Sequence, residues 1–319
     1  MFGAAKFKPD RDIPDLRGRV IFITGGSDGL GKESAKQFAR YGATVYIGAR
    51  NREKASAAIA EIKASLGLAV HRSEEQTVAN IHFIELDLAS LDSVAKAAQS
   101  FRAANNRLDI LMNNGGIMAT PEGLTKDGYE IQFGTNHVGH ALLTKLLLPV
   151  LEATATMNGG DVRIVNVTSI AQEWFGPPNG LLLEEAKTTM GGIGPWQRYG
   201  HSKIANVYFT KGLSKRYPGI RSVAVHPGGT KTSLSKGVEP TQPALVQAFM
   251  DLIKRFTFAD VAEGAYNQLW ASTSPEAKSG LLHYPVAKEH IERTILKDEG
   301  VADKLWDWTE KELRRLEIF

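Results

Sequence analysis

The amino-acid sequence predicts an α/β fold: one doubly wound parallel sheet with helices on both faces. Three observations lead there. Short apolar runs alternate with helical patterns almost to the end of the chain. The first of those runs passes into a glycine-rich turn that opens a helix. No linker, low-complexity tract or internal repeat divides the 319 residues, so they are read as a single domain, with a core over about 18–284 and a helical C-terminal extension over 285–319. Strands separated by helices bury both faces of a parallel sheet, which is why their sequences read as apolar runs rather than alternations.

Val20 to Thr24 reads as the first strand, and Gly29 to Tyr41 as a helix with Ala35, Phe38 and Ala39 on one face. Thr44 to Ile47 is a strand and Arg52 to Leu66 an alanine-rich helix, followed by a polar surface loop over Gly67 to Asn80. The runs Ile81 to Leu86, Ile110 to Met112, Val162 to Val167 and Ser222 to Val225 continue the strands, with a last short one near Leu281 to Tyr284. Helices lie between them near Leu91 to Phe101, Asn136 to Leu151 and His201 to Arg216. The tail from Glu289 ends in a charged helix carrying Trp306, Trp308 and Leu313, read as packed on the domain surface.

Composition excludes several classes. With 38 basic and 35 acidic residues the formal charge is +3 and the signs are interspersed, so no nucleic-acid partner is expected. There is no cysteine, hence no disulfide framework, no thiolate nucleophile and no cysteine metal site; no metal is expected. Met1 to Leu16 is charged and has no apolar core segment, so a secretory signal is not expected and the cytoplasm is the expected location. The greasiest run, Ala141 to Leu151, is broken by Lys145 and Pro149 and reads as too short to span a bilayer. Asn166-Val167-Thr168 matches a glycosylation acceptor but lies in a predicted buried strand.

The turn after the first strand is Thr24-Gly25-Gly26-Ser27-Asp28-Gly29-Leu30-Gly31. Gly25 and Gly29 make the turn and Gly31 lets the helix approach the strand, while the free N–H groups at the helix start face a pyrophosphate. The spacing Gly-x-x-x-Gly-x-Gly differs from the common dinucleotide pattern. The second strand ends at Ala49-Arg50-Asn51, where a basic rather than an acidic residue suits a 2′-phosphate, so NADP(H) is favoured over NAD(H). Asp87, after the third strand, can take a bond from the adenine amino group or cap the next helix, where Ser90 competes.

Tyr199 and Lys203 stand four apart and share a helix face. A nearby ammonium stabilises phenolate, so the pair is expected to lower the tyrosine pKa and let it move a proton to or from a carbonyl or alcohol oxygen. Ser169 follows the strand Val162 to Val167, at the carboxyl end where ligands bind, and its hydroxyl can hold the substrate oxygen. Asn136 can hold water that relays protons to Lys203.

Taken in order, the glycine turn, Asp87, Asn113-Asn114-Gly115-Gly116, Asn136, Ser169, Tyr199 to Lys203 and Pro227-Gly228 make the chain resemble the short-chain dehydrogenase/reductase family from about Gly18 to Tyr284. The resemblance implies a Rossmann-type sheet and a catalytic tetrad of Asn136, Ser169, Tyr199 and Lys203, with Lys203 also on the nicotinamide ribose. It implies coenzyme contacts from Gly25, Ser27, Gly29, Leu30, Gly31, Arg50, Asn51, Asp87, Leu88, Asn114, Gly115, Tyr199 and Lys203, with Pro227, Thr230 and Thr232 around the nicotinamide carboxamide. Arg50 matches NADP-preferring members. Two positions depart from the pattern: Gly115 stands where alanine is usual, and Asp28 where some NADP-preferring members carry a basic residue. The long Ser169–Tyr199 spacing and Gly134 to His140 look like the retinol dehydrogenase and WW-domain oxidoreductase branch. The membrane anchor of many retinol dehydrogenases is not found, so retinoid activity does not carry over.

The expected function is therefore NADP(H)-dependent hydride transfer between nicotinamide and a carbonyl or alcohol carbon of a small molecule. Ile170 to Gln197, with Trp174, Phe175, Leu181 to Leu183, Met190 and Trp196, and a second stretch with Leu234, Leu245, Val246, Phe249 and Met250, read as apolar flaps favouring a bulky apolar substrate. The alternative is a catalytically silent dinucleotide-binding regulator on the same fold, which the presence of both Tyr199 and Lys203 disfavours. A nucleotide-sugar epimerase of the extended type is disfavoured by the glycine spacing. By the same resemblance, a homodimer packed through the helices starting near Asn136 and Tyr199 is expected.

Overall fold

Among the described residues, eight strands form one sheet in the spatial order β3-β2-β1-β4-β5-β6-β7-β8, seven of them parallel and the last antiparallel at the edge. The computed structural model describes residues 7–69, 79–157, 159–178, 180–230, 259–289 and 298–315. The strands are β1 (Val20–Thr24), β2 (Thr44–Ala49), β3 (Ile81–Glu85), β4 (Ile110–Asn113), β5 (Arg163–Val167), β6 (Arg221–Val225), β7 (Leu282–Tyr284) and β8 (Lys288–Glu289). Successive side chains on a strand point to opposite faces, so β1 serves two cores: Phe22 joins one, Ile21 and Ile23 the other. Every residue of β4 and β5 is buried, as a sheet covered on both faces requires.

After a single helical turn at Pro9–Asp12, the described helices are α1 (Gly29–Arg40), α2 (Arg52–Ala69), α3 (Leu91–Ala104), α4 (Ile131–Ala155), α5 (Ala171–Trp174), α6 (Pro195–Arg216), α7 (Val261–Gly264), α8 (Tyr266–Thr273) and α9 (Glu299–Arg314). Asp28 caps α1 by accepting from Gly29 N, and Ser90 caps α3 by accepting from Ser93 N. Residues 67–69, expected in a loop, continue α2, and what remains of that loop up to residue 78 lies outside the described residues.

The run Ala141 to Leu151 belongs to a longer element than expected. Helix α4 has 25 residues and meets the length and composition of a membrane span. Two-thirds of that window is buried against the rest of the protein, so core packing accounts for its apolarity. Asn166 sits in β5 and is 2% exposed, with its side-chain amide bonded to Thr210, so the glycosylation match is a buried one.

The C-terminal helix is more than a surface appendage. Trp306 of α9 stacks on Phe209 of α6 with centroids 5.8 Å apart, and the Arg216 guanidinium lies 4.5 Å from the same indole. A Cβ at Gly212 would sit 2.8 Å from the indole, so glycine is what lets α9 settle on α6. Glu310 pairs with Lys145 of α4. Helix α9 therefore lies against the two helices expected to form a dimer contact.

Candidate active site

Strand order reverses between β1 and β4, and a parallel α/β sheet opens a crevice at such a switch point. The turn after β1 and the segment Asn114-Gly115-Gly116 after β4 meet there. Gly25 has φ +65°, and a Cβ on it would lie 2.8 Å from Gly115 Cα. A Cβ on Gly31 would lie 2.4 Å from Gly25 O. Thr24 Oγ1 accepts from both Asn114 N (2.9 Å) and Gly115 N (2.8 Å), joining the two turns. A turn whose glycines carry no Cβ of their own, opening a 12-residue helix, fits a dinucleotide pyrophosphate. Asp28 is spent on capping that helix. At position 115 a Cβ would come within 2.9 Å of Leu88 Cδ1 and 3.3 Å of Gly25 N, so the exchange from alanine relaxes a crowded spot.

Gly25 N donates to Gly48 O (2.8 Å), which brings the end of β2 beside the turn. Arg50 is exposed there, and no described residue pairs with its guanidinium. Asn51 caps α2, its side chain accepting from Lys54 N at 2.8 Å. Asp87 accepts from Ala89 N and lies 3.7 Å from Lys126. Beyond β6, a Cβ on Gly264 would touch both Thr230 and Leu30, which places Thr230 over the start of α1. Thr232 and the second expected flap lie outside the described residues.

The four expected catalytic residues converge from three elements. Tyr199, 4% exposed, and Lys203, 4% exposed, share a face of α6. Ser169 follows β5, its Oγ accepts from Ala171 N at 3.2 Å, and it lies near enough to Tyr199 to pull the phenol pKa down in part. Lys203 Nζ donates to Val167 O (3.0 Å) and lies 5.7 Å from the Tyr199 ring centroid. The expected lowering of the tyrosine pKa is not what this arrangement gives. Burial pushes Tyr199 up to about 12, only partly offset by Ser169, and pushes the Lys203 ammonium down to about 8. Burial therefore disfavours the charged form of each group, leaving the phenol protonated and the ammonium still mostly charged at neutral pH.

Asn136 sits in a π-turn, Gly134–Val138, within α4. Its side-chain N–H groups donate to Ile117 O and Ser202 Oγ, both at 2.9 Å, and its Oδ1 accepts from Ile117 N. Both side-chain N–H groups are thus committed within the fold, and the main-chain carbonyl lies 2.9 Å from His140 Nδ1. A Cβ at Gly116 would lie 2.8 Å from Asn136 Oδ1 and 3.6 Å from Lys203 Nζ, so this glycine brings the β4 turn against the tetrad.

Sequence reading missed two buried supports. Arg198, immediately before Tyr199, donates to Ile193 O (2.8 Å) and Thr120 O (3.1 Å) and pairs with Glu130 at 3.3 Å. Glu130 caps the start of α4, so this pair links the tyrosine helix, the flap and the asparagine helix. A charged residue inside an otherwise buried helix was the available signal. His140, one helical turn after Asn136, is the other.

The segment between Ser169 and Tyr199 divides into two parts. Met190 and Ala186 are buried and Leu181 to Leu183 pack on the core, so this half is structural. The other half is open: Trp174 is 68% exposed and Phe175 36%. Trp174, Phe175, Trp196 and Tyr199 form a ladder with successive centroids 6.5, 5.6 and 6.3 Å apart. Gly200 is required here, because a Cβ would lie 2.6 Å from the Phe175 backbone.

Comparison with known proteins identifies the family and the fold. The short chain dehydrogenase family profile matches residues 19–178. The chain is 37% identical to the short-chain dehydrogenase/reductase drtF of Aspergillus calidoustus, over 96% of this chain and 97% of that one. It is 35% identical to human retinol dehydrogenase 14, over 92% and 86%. Among solved structures, an uncharacterized protein of Mycobacterium paratuberculosis superposes with TM-score 0.70 at 29% identity over 97% of each chain. A Shigella flexneri short chain dehydrogenase complexed with NADP superposes with TM-score 0.60 at 23% identity over 85% of this chain and 98% of that one, which speaks for the fold.

Proposed function

The chain belongs to the short-chain dehydrogenase/reductase family of oxidoreductases, and on that premise we propose that it uses NADP(H) to interconvert a bulky apolar ketone and its alcohol, with Tyr199 as acid/base. The observation that carries the reading is the convergence of Tyr199, Lys203 and Ser169 beside the glycine cradle. A nicotinamide dinucleotide held by the glycine turn would supply or accept the hydride. Ser169 and Tyr199 hold the reacting oxygen, and Tyr199 gives it the phenol proton as the alkoxide forms. Lys203 replaces that proton through water held at the Asn136 carbonyl. The coenzyme preference rests on Arg50, an exposed guanidinium beside the glycine turn with Asn51 already serving as the helix cap. The substrate class rests on the ladder from Trp174 to Tyr199, which offers apolar area leading to the reacting oxygen.

The test is a graded series of ketones assayed with NADPH, with Tyr199→Phe alongside. The bulky members should have the highest kcat/KM, and the variant should bind NADPH as the wild type does while losing turnover. Near-wild-type turnover by Tyr199→Phe sinks the mechanism. Preference for small polar ketones sinks the substrate class.

A further inference from the structure

We propose that His140 is a positioning residue that ties the main-chain carbonyl of Asn136 to the nucleotide-binding turn. The assignment follows from counting protons. Thr24 Oγ1 receives hydrogen bonds from Asn114 N (2.9 Å) and Gly115 N (2.8 Å), which use both of its lone pairs. Its own proton has one close acceptor, His140 Nε2 at 2.8 Å; Met112 O, at 3.4 Å, is the poorer partner. His140 Nε2 is therefore bare, and the neutral ring carries its proton on Nδ1. That proton goes to Asn136 O, 2.9 Å away. The ring is 2% exposed, and burial together with the nearby Lys203 charge holds it neutral, with its pKa pushed down to about 4.

The result is a directed chain: Asn114 and Gly115 amides to the Thr24 hydroxyl, Thr24 to His140, His140 to the Asn136 carbonyl. Its first members belong to the cradle on which the dinucleotide rests. Its last atom is the carbonyl assigned to the relay water, and the Asn136 side chain is already committed to Ile117 and Ser202. His140 thus fixes the direction of that carbonyl and makes it depend on the position of the cradle. It touches no reacting atom.

The inference rests on the proposed oxidoreductase reading, and its two ends are separable. His140→Asn keeps a donor near the Nδ1 position, and His140→Gln keeps an acceptor near Nε2; His140→Phe keeps neither. Three quantities are measured on the full chain: NADPH dissociation constant by fluorescence, kcat on a ketone turned over by the wild type, and Tm. His140→Phe should lower kcat roughly tenfold and weaken NADPH roughly severalfold, the scale of one lost hydrogen bond at each end. His140→Asn should recover kcat but not coenzyme affinity, and His140→Gln the reverse. A merely structural histidine would move both quantities together, in step with Tm. Parallel loss in Asn and Gln variants, or His140→Phe within about twofold of wild type in both, overturns the proposal. If no ketone is turned over, the oxidoreductase reading fails, while the contrast between Gln and Asn in NADPH binding still decides whether His140 supports the cradle.

Discussion

Three imidazoles buried around α4 should make the fold acid-labile. His137 and His201 are 0% exposed and His140 2%. Burial first, with mutual repulsion for His137 and the Lys203 charge for His140, pushes them down to about 3, 3 and 4 respectively. In the unfolded chain a histidine titrates near ~6.5. The unfolded state therefore binds more protons below that pH, and stability is lost as pH falls from about 6.5 towards 4. One unit below the unfolded pKa each ring costs about 1.4 kcal/mol, so three cost about 4 kcal/mol at pH ~5.5 and about 8 at pH ~4.5. Glu130 works in the opposite direction, because burial raises its carboxyl above the ordinary value. The three rings together set a slope of up to about three protons. Against a typical total of ~5–15 kcal/mol, a protein at the lower end unfolds near pH ~5 and one of middling stability below pH ~4.5. Urea midpoints measured from pH 7 to 4.5 give the slope directly. His137→Phe, whose ring packs between Phe133 and Phe209, should reduce it by one proton. A slope below about one proton, or an unchanged slope in the variant, refutes the reasoning.

The remaining expectations concern coenzyme, packing and assembly. Arg50→Asp should weaken NADPH far more than NADH in titration calorimetry, and equal effects would show that the guanidinium serves the fold. Arg198→Met leaves the Glu130 carboxylate buried alone and should cost about 3 kcal/mol in urea unfolding, with Glu130→Gln added to it recovering much of the loss; additive losses would contradict the pairing. Helix α9 lies against α6 and contacts α4, so a dimer through those helices requires it to move. Light scattering at micromolar concentration should show monomers, and a stable dimer would mean that another face, or a displaced α9, forms the contact.

Much of this was readable from the chain because the relevant information is local. Each parallel strand is a short apolar run, and the ends of β1 and β6 fell within a residue of their expected places. The glycine turn and the Tyr199–Lys203 spacing are local patterns too. What escaped detection depends on chain segments far apart in sequence. Arg198 meets Glu130 and Thr120 only after folding, and Thr24 joins two turns 90 residues apart. The two-residue β8 has too little sequence to carry a period. The pKa of Tyr199 was misjudged because spacing reports proximity to an ammonium but not how dry both groups are. Within Ile170 to Gln197, hydrophobicity could not separate residues that fill the core, such as Met190, from residues left on the surface, such as Trp174.

The π-turn at Gly134–Val138 bears on which length changes the gene can tolerate. Such a turn is a helix carrying one surplus residue. Deleting a single codon there, that of Thr135 for instance, would remove the surplus residue and restore a regular helix with both flanks near their present register. The flanks of α4 could then keep their packing while Asn136, at the centre of the turn, loses its place against Ile117 and Ser202. Within this helix, then, folding and the geometry around Asn136 answer to different residue counts, and libraries that sample only substitutions would never expose the distinction.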